Sequence, residues 1–369
     1  MLFRSGGGLI DKTQIAMNEY ENADKKQQDI IDDINDYNKQ EIDLEPVYSE
    51  KGAEDNIAPA ELFEYEIIND GSVASSYMQN LPTKTAKITG IKPEYIEIQS
   101  KGSLSWYYKI KYDGITDVLV IPYEVQLDEN ANVTENGEMY KITEVDLSVS
   151  AYSGEKICNG TSFPSVKKVI FPNTVEKIER RENISGKGTD TVPQPSEIVL
   201  SKNLKNIGYG AFDDTSIRSI ELPESVTSIG DKAFGSAPLT SIEIPESVTS
   251  IGESAFEYCM GLESVFILGK IKTIEDYTFS RCDMLVKIEL PDSITNIDEY
   301  AFEWCNNLKE IVIPESIENI AKGAFYDWNS DQTIYFECSE DKSKNWDTNW
   351  KSNCEANIVW NYKPDGTTE

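Results

Sequence analysis

The residues best suited to chemistry in this sequence are its carboxylates, because histidine is absent. The 369 residues include 65 Asp and Glu and 34 Lys and Arg, which give a formal net charge of −31. Without histidine, Ser-His-Asp and Cys-His catalysis, a histidine general base and histidine-containing zinc sites are excluded. Paired carboxylates could act as they do in glycosidases, but so many acidic residues produce pairs by chance. The sequence therefore predicts a protein that is not an enzyme and needs no cofactor.

Six cysteines are the other reactive residues, and three of them follow a repeat. Cys259, Cys282 and Cys305 lie 23 residues apart. Small thiols at one repeated position are typical of a buried structural ladder, in which burial keeps them unreactive and reduced. No Cys-x-x-Cys motif occurs, so a metal site is not expected. Of the remaining three, Cys338 and Cys354 are the pair best placed for a disulfide, and the sequence leaves their pairing open.

The charge balance also limits the partners that the protein can bind. A chain this acidic is repelled by nucleic acid and by anionic membrane surfaces, so we expect a neutral or basic protein as partner. Alternatively, the carboxylates only keep the surface solvated. A carbohydrate platform built on Trp106–Tyr108, or on Trp346 and Trp350, is a third interpretation, although such aromatic residues pack in cores more often.

One segment resembles the opening of a calcium-binding loop. Asp128, Asn130 and Asn132 have the spacing of its first three ligands. An EF-hand loop also needs Gly at its sixth position and Glu at its twelfth, where this sequence has Val133 and Met139. The segment is therefore interpreted as a polar insertion and not as a metal site.

The residues above are positioned by a repeat of 22 or 23 residues. Five consecutive copies begin at Ile217, Leu239, Leu262, Leu285 and Leu308. A fixed period of about 20 to 29 residues headed by Leu-x-x-Ile-x-Leu is the signature of a leucine-rich solenoid. Each coil carries an apolar set that it cannot bury alone, so the coils are expected to stack on one another.

The spacing within one copy predicts the course of the chain through a coil. Leu239, Ile242 and Ile244 fit a short strand whose alternate side chains point inward, and Pro245 ends this strand. A second apolar pair follows, and Ala255–Phe256 is then placed in a turn of helix. The equivalent phenylalanines are predicted to stack as a buried ladder of rings: Phe212, Phe234, Phe256, Phe279, Phe302 and Phe325.

The repeat resembles the BspA-like leucine-rich repeat family of bacterial surface proteins. The motif that carries the resemblance is Leu-x-x-Ile-x-Ile-Pro-x-Ser-Val-Thr-x-Ile-Gly-x-x-Ala-Phe-x-x-Cys at 239–259, and it extends over roughly residues 116–362. The resemblance implies a right-handed solenoid, mostly β with short helical turns, located at the cell surface or outside the cell. It implies adhesion or protein binding and no catalytic residues. The copy at 262 departs at Leu268–Gly269, where its strand exit is expected to differ.

Composition and resemblance together divide the chain into six parts. Residues 1–45 are predicted to form an amphipathic helix, either a coiled-coil stalk or a juxtamembrane segment. Its start, Gly6–Lys12, resembles the juxtamembrane part of prepilin-like Gram-positive surface proteins, which implies a membrane helix before residue 6. No secretory signal peptide is visible. The other parts are an acidic linker at 46–60, a β-rich N-terminal cap at 61–115, the solenoid at 116–331, an aromatic C-terminal cap at 332–364 and a polar tail at 365–369.

The candidate site follows from the strand that opens each copy. The concave sheet is the usual binding surface of solenoids, and between the two inward residues of each strand lies one that points away from the core. We predict that these outward residues bind a protein of the host or of the extracellular matrix. The alternative is a solvated face whose Glu residues discourage edge pairing. Two other functions stay open, a pilin-like subunit that assembles through the N-terminal helix and a carbohydrate-binding protein. The predicted contact residues are Glu221, Glu243, Phe266, Glu289 and Val312.

Overall fold

The computed structural model describes the repeat region continuously and the N-terminal half in pieces. The described residues are 57–58, 60, 63–69, 85–91, 96–100, 106–110, 118–122, 124–146, 152–153, 156–157, 167–179 and 196–363. The predicted N-terminal helix at 1–45 and the polar tail at 365–369 lie outside them. Within the described ranges, no helix is both long and apolar enough to span a lipid bilayer.

Strands dominate the described residues. Before the repeats they are β1 (Phe63–Asn69), β2 (Thr85–Ile91), β3 (Ile96–Ser100), β4 (Trp106–Ile110), β5 (Val118–Val120), β6 (Glu124–Leu127), β7 (Glu138–Asp146), β8 (Tyr152–Ser153) and β9 (Lys156–Ile157). The coils contribute β10 (Lys168–Ile170), β11 (Lys177–Glu179), β12 (Glu197–Val199), β13 (Asn206–Ile207), β14 (Ser228–Ile229), β15 (Ser241–Ile244), β16 (Ser250–Ile251), β17 (Ser264–Ile267), β18 (Thr273–Ile274), β19 (Lys287–Glu289), β20 (Asn296–Ile297), β21 (Glu310–Ile313) and β22 (Asn319–Ile320). The C-terminal part adds β23 (Thr333–Phe336), a 3-10 helix (Glu340–Asn345) and β24 (Asn357–Val359).

Each coil from Leu239 to Ile320 supplies one strand to each of two parallel ladders. The first ladder contains the sheets β15–β17–β19 and β21–β23–β24, and the second contains β14–β16 and β18–β20–β22. The pairing is in register, so that Ile242 lies beside Val265 and Val265 beside Ile288. Because all three are buried, the repeated apolar positions form one continuous core, as the repeat predicts.

The Ala-Phe segment of each coil forms consecutive turns, so the prediction of a helical turn there is wrong. The N–H groups of Ser254, Phe256 and Tyr258 donate to carbonyl oxygens of the next coil at 2.8, 2.9 and 2.9 Å. A helix would direct these N–H groups back along its own axis. Ser254 and Tyr258 adopt φ of 56° and 60°, a left-handed conformation that non-glycine residues rarely take. The hydrogen bonds between coils offset the energetic cost of this left-handed conformation.

The phenylalanine ladder is confirmed. All six rings are fully buried, and neighbouring centroids are 5.3 to 5.8 Å apart. From Phe234 to Phe325 the rings are stacked nearly parallel, while Phe212 is tilted by 32° against Phe234. The column passes through the centre of each coil, so the loss of one ring would leave a cavity bounded by two others.

The thiol ladder is also confirmed, since Cys259, Cys282 and Cys305 are buried and free. Each thiol donates to the carbonyl oxygen of a core phenylalanine in the preceding coil, at 3.1, 3.3 and 3.2 Å. In the next coil Trp328 occupies the equivalent position and donates its Nε1–H to Phe302 O at 2.9 Å. Burial raises the pKa of all three thiols well above the ordinary range, which keeps them protonated as donors.

Gly269 changes the strand exit of its coil, as the departure from the motif suggested. A Cβ atom at this position would lie 2.4 Å from the Val248 carbonyl oxygen, a distance that only glycine permits. The preceding residue, Leu268, donates its N–H to Ile244 O at 2.9 Å. Proline, which the other copies have there, could not donate this bond.

The C-terminal aromatic residues close the core. Trp346 and Trp350 are 4% and 6% exposed, and both rings contact Phe336, with centroids 5.2 and 5.7 Å away. Since neither indole is available to a ligand, the interpretation of these two residues as a carbohydrate platform is wrong. Cys338 and Cys354 are both free, so the disulfide considered for them does not form.

The packed body begins before the end of the segment predicted as a linker. Ala58 is buried, and its N–H donates to Val120 O at 3.0 Å. Ile57 forms a parallel bridge with the same Val120. These two residues therefore extend the ladder of β5, β10 and β12 by one position.

Candidate functional site

The predicted contact residues divide into a central group and two outliers. Glu243, Phe266 and Glu289 are direct neighbours across β15, β17 and β19. Both carboxylates are exposed, while the phenyl ring is half-buried. Parallel pairing in register thus places one aromatic ring between two acidic residues, as the spacing predicts. We call the outward side of the first ladder the strand face.

The ammonium group of Lys287 lies over the ring of Phe266. Its Nζ lies 5.3 Å from the ring centroid of Phe266 and 2.9 Å from Glu289 Oε1. A cation over an aromatic face is attracted by the ring quadrupole. The carboxylate of this ion pair is 69% exposed and the lysine side chain 33% exposed, so solvent screens the pair and it contributes little to stability.

Val312 lies in a second group, which sequence reasoning missed. It is half-buried and pairs in register with Tyr335 of β23, whose ring centroid is 4.6 Å from that of Tyr362. The repeat motif decays after Trp328, which hid these tyrosines. The signal that could have found them is the position of Tyr335, 23 residues after Val312.

Glu221 does not join the strand face. It is exposed, but residues 219–223 form no strand, so the strand expected in that copy is absent. The physical reason is weaker burial, since Ile220, the inward residue equivalent to Ile242, is only half-buried. The structure therefore brings together three of the five predicted residues, with Val312 farther along the same ladder.

No metal site is found within the described ranges, where no group of three or more Cys, Asp and Glu side chains could hold an ion. The segment at 128–137 forms the loop of the β6–β7 hairpin. Its first residue, Asp128, accepts the N–H groups of Asn130 and Asn132 at 2.8 and 2.9 Å. The bond from Asn132 holds the pKa of Asp128 below its ordinary value. The carboxylate thus orders the turn, as a polar insertion would.

Comparison with known proteins identifies the repeats. Residues 194–286 and 227–355 match the model of the BspA type leucine rich repeat region, in six copies. A comparison with curated proteins gave no match. Among solved structures, a leucine-rich repeat protein from Bacteroides ovatus is 23% identical, with a TM-score of 0.45 and coverage of 72% of this chain and 67% of the other.

Two further solved structures are similar to this chain. The T. pallidum leucine rich repeat protein is 23% identical, with a TM-score of 0.40 and coverage of 60% and 91%. A leucine rich cell surface protein from Faecalibacterium prausnitzii is 17% identical, with a TM-score of 0.22 and coverage of 88% and 97%. The stacked coils, the in-register ladders and the family match lead to one conclusion: the repeats of this chain belong to the BspA-type leucine-rich repeat family.

Proposed function

We propose that this protein is a non-catalytic binding module for adhesion, displayed at a bacterial cell surface, that binds a protein through its strand face. The observation that carries the proposal is the position of Phe266 between Glu243 and Glu289 on paired strands. Membership of the repeats in the BspA-type family supports a role in protein binding at the surface.

The chemistry of the strand face supports a neutral or basic protein as partner. Aromatic residues contribute a disproportionate share of interface energy when they are desolvated. The carboxylates around the ring attract positive charge over a distance, which raises association rates more than affinity. A net charge of −31 disfavours nucleic acid by the same argument. A protein of the host or of the extracellular matrix with a basic surface could both bury the aromatic ring and be attracted by the carboxylates.

The proposal is tested by binding to a panel of purified extracellular-matrix proteins, followed by association kinetics at two salt concentrations. Replacing both carboxylates, Glu243→Gln with Glu289→Gln, is expected to slow association and to flatten its salt dependence. The matched control is Glu246→Gln with Glu318→Gln, which removes two exposed carboxylates that lie outside the strands. Equal salt dependence in the two double variants would contradict steering by the strand face.

A further inference from the structure

A separate cluster of aromatic and charged residues lies on the turn side of the coils. Tyr258, Arg281 and Trp304 occupy the same position in three successive copies, 23 residues apart. The guanidinium carbon of Arg281 lies 3.2 Å from the ring centroid of Trp304 and 5.2 Å from that of Tyr258. We call these three residues the arginine sandwich.

The backbone fixes the three side chains relative to one another. Tyr258 N donates to Ser280 O at 2.9 Å, and Arg281 N donates to Glu303 O at 2.8 Å. All three residues have φ between 57° and 60°, so each side chain leaves the backbone in the same direction. The guanidinium plane is therefore held between two rings before any ligand arrives, which lowers the cost of ordering it.

The arginine sandwich contains hydrogen-bond donors for which the described part of the chain supplies no acceptor. Among the residues that the structure describes, Arg281 has no carboxylate within 4.0 Å, although Glu257 and Glu303 occupy the adjacent positions. Ser280 donates instead to Glu303 Oε2 at 3.1 Å. Buried Trp304 Nε1 also has no acceptor there. A guanidinium has five N–H donors, so the site offers donors to an outside acceptor.

The surroundings select the kind of acceptor. A free anion is repelled by Glu257 and Glu303, which flank the guanidinium, and by the net charge of the chain. A sugar ring would need an open aromatic face, whereas Arg281 covers the faces that Tyr258 and Trp304 turn toward each other. Main-chain carbonyl groups of an extended peptide are neutral acceptors, and they recur at a regular spacing.

The carboxylates of Glu257 and Glu303 favour a peptide that carries positive charge. Glu257 and Glu303 are two coils apart, roughly 10 Å if coils are spaced like paired strands. Alternate side chains of an extended peptide lie on one side about 7 Å apart, and lysine side chains are long enough to reach both carboxylates. We infer that the arginine sandwich binds an extended, lysine-containing segment of a partner protein, on a surface separate from the strand face. Arg281 donates to main-chain carbonyls, and Glu257 and Glu303 pair with the lysines.

The test is a titration of the full chain with the peptide acetyl-(Ala-Lys)6-amide, followed through the indole ¹H–¹⁵N resonance of Trp304. The variant Trp304→Phe assigns this resonance. We expect it to shift on binding, and we expect Arg281→Met to weaken the affinity at least tenfold. Methionine keeps a flexible apolar chain between the rings but has no donors. Lys309→Met, which removes an exposed cation elsewhere on the coils, is expected to leave the affinity unchanged.

Arg281→Lys separates binding from folding. It keeps the charge but loses the planar fork of donors, so it is expected to weaken the affinity for the peptide as Arg281→Met does. The melting temperature of the Arg281→Lys protein is expected to equal that of the parent. An unmoved Trp304 resonance, or an unchanged affinity in Arg281→Lys, would overturn the inference. Equal binding of acetyl-(Ala-Glu)6-amide would indicate an anion site, and a Trp304 shift with maltoheptaose would indicate a glycan site. Either result would also overturn it.

Discussion

Phe256 shows how a single repeated residue stabilises the coils. Its ring is fully buried between Phe234 and Phe279, with centroids 5.3 and 5.4 Å away. The Cys259 N–H returns to Phe256 O at 3.2 Å, and the thiol of Cys282 in the next coil donates to the same carbonyl group. The spacing of the phenylalanines and cysteines was enough to predict both ladders. It could not show that the thiol of one coil donates to the phenylalanine carbonyl of another, because this bond depends on how neighbouring coils are offset.

Replacement of this ring is expected to be costly. Phe256→Ala should lower the free energy of unfolding by about 3–5 kcal/mol, because a cavity forms between two rings that cannot close on each other. Denaturant unfolding measures the change. Phe266→Ala is the matched control, since the same substitution at a half-buried outward ring should cost far less. A loss below about 1 kcal/mol for Phe256→Ala would mean that the core relaxes around the gap.

The Ala-Phe turns and the strand expected at Glu221 are the two elements that the sequence predicted incorrectly. The Ala-Phe segments lack the apolar period that separates a helix from consecutive turns over so few residues. The turns form because every second N–H bonds to the next coil, which is a tertiary effect. The absence of a strand at Glu221 has a similar cause, since it depends on how deeply the coil buries Ile220.

The start of the packed body can be tested by two truncations. The chain divides into units at Asp55 and Asn56, and Ala58 is buried against Val120. We expect removal of residues 1–55 to leave the melting temperature of the remainder nearly unchanged. Removal of 1–59 should lower it, because a buried side chain and a ladder bond are lost. Equal melting of the two truncated chains would show that Ile57 and Ala58 contribute nothing to the fold.

At the scale of the whole protein, the acidic balance both limits partners and stresses the fold. Burial raises the pKa of Glu275 and of Asp298 above the ordinary value, and repulsion from nearby carboxylates adds to it, mainly from Asp298 at Glu275 and from Asp276 at Asp298. The opposite holds for Glu179. Burial raises its pKa, but hydrogen bonds from Lys177 and Lys87 outweigh burial and hold it below the ordinary value. Composition predicted the excess of negative charge, whereas the three-dimensional placement decides which carboxylates have a raised pKa and so destabilise the fold when ionised.

The raised pKa of Asp298 predicts a pH-dependent gain in stability when its charge is removed. Because the folded-state pKa of Asp298 is raised, its ionised form destabilises the fold above that pKa, and the penalty disappears below the unfolded-state pKa. Asp298→Asn should therefore raise the melting temperature at pH 7, with a gain that declines as the pH falls through the carboxylate range. The exposed Asp292→Asn in the same coil is the control, for which no gain is expected. A gain independent of pH would contradict an electrostatic origin.

Phe266→Ala tests whether the protein binds its partner through the strand face. The measurement is the dissociation rate from whichever matrix protein of the panel binds the parent, with Met260→Ala as control because Met260 is 52% exposed and lies outside the strand face. We expect Phe266→Ala to weaken binding by about 2 kcal/mol or more, mostly through faster dissociation, with the fold unchanged. Met260→Ala should dissociate at the rate of the parent. If the Phe266 variant also dissociates at the parent rate, the protein does not bind through the strand face.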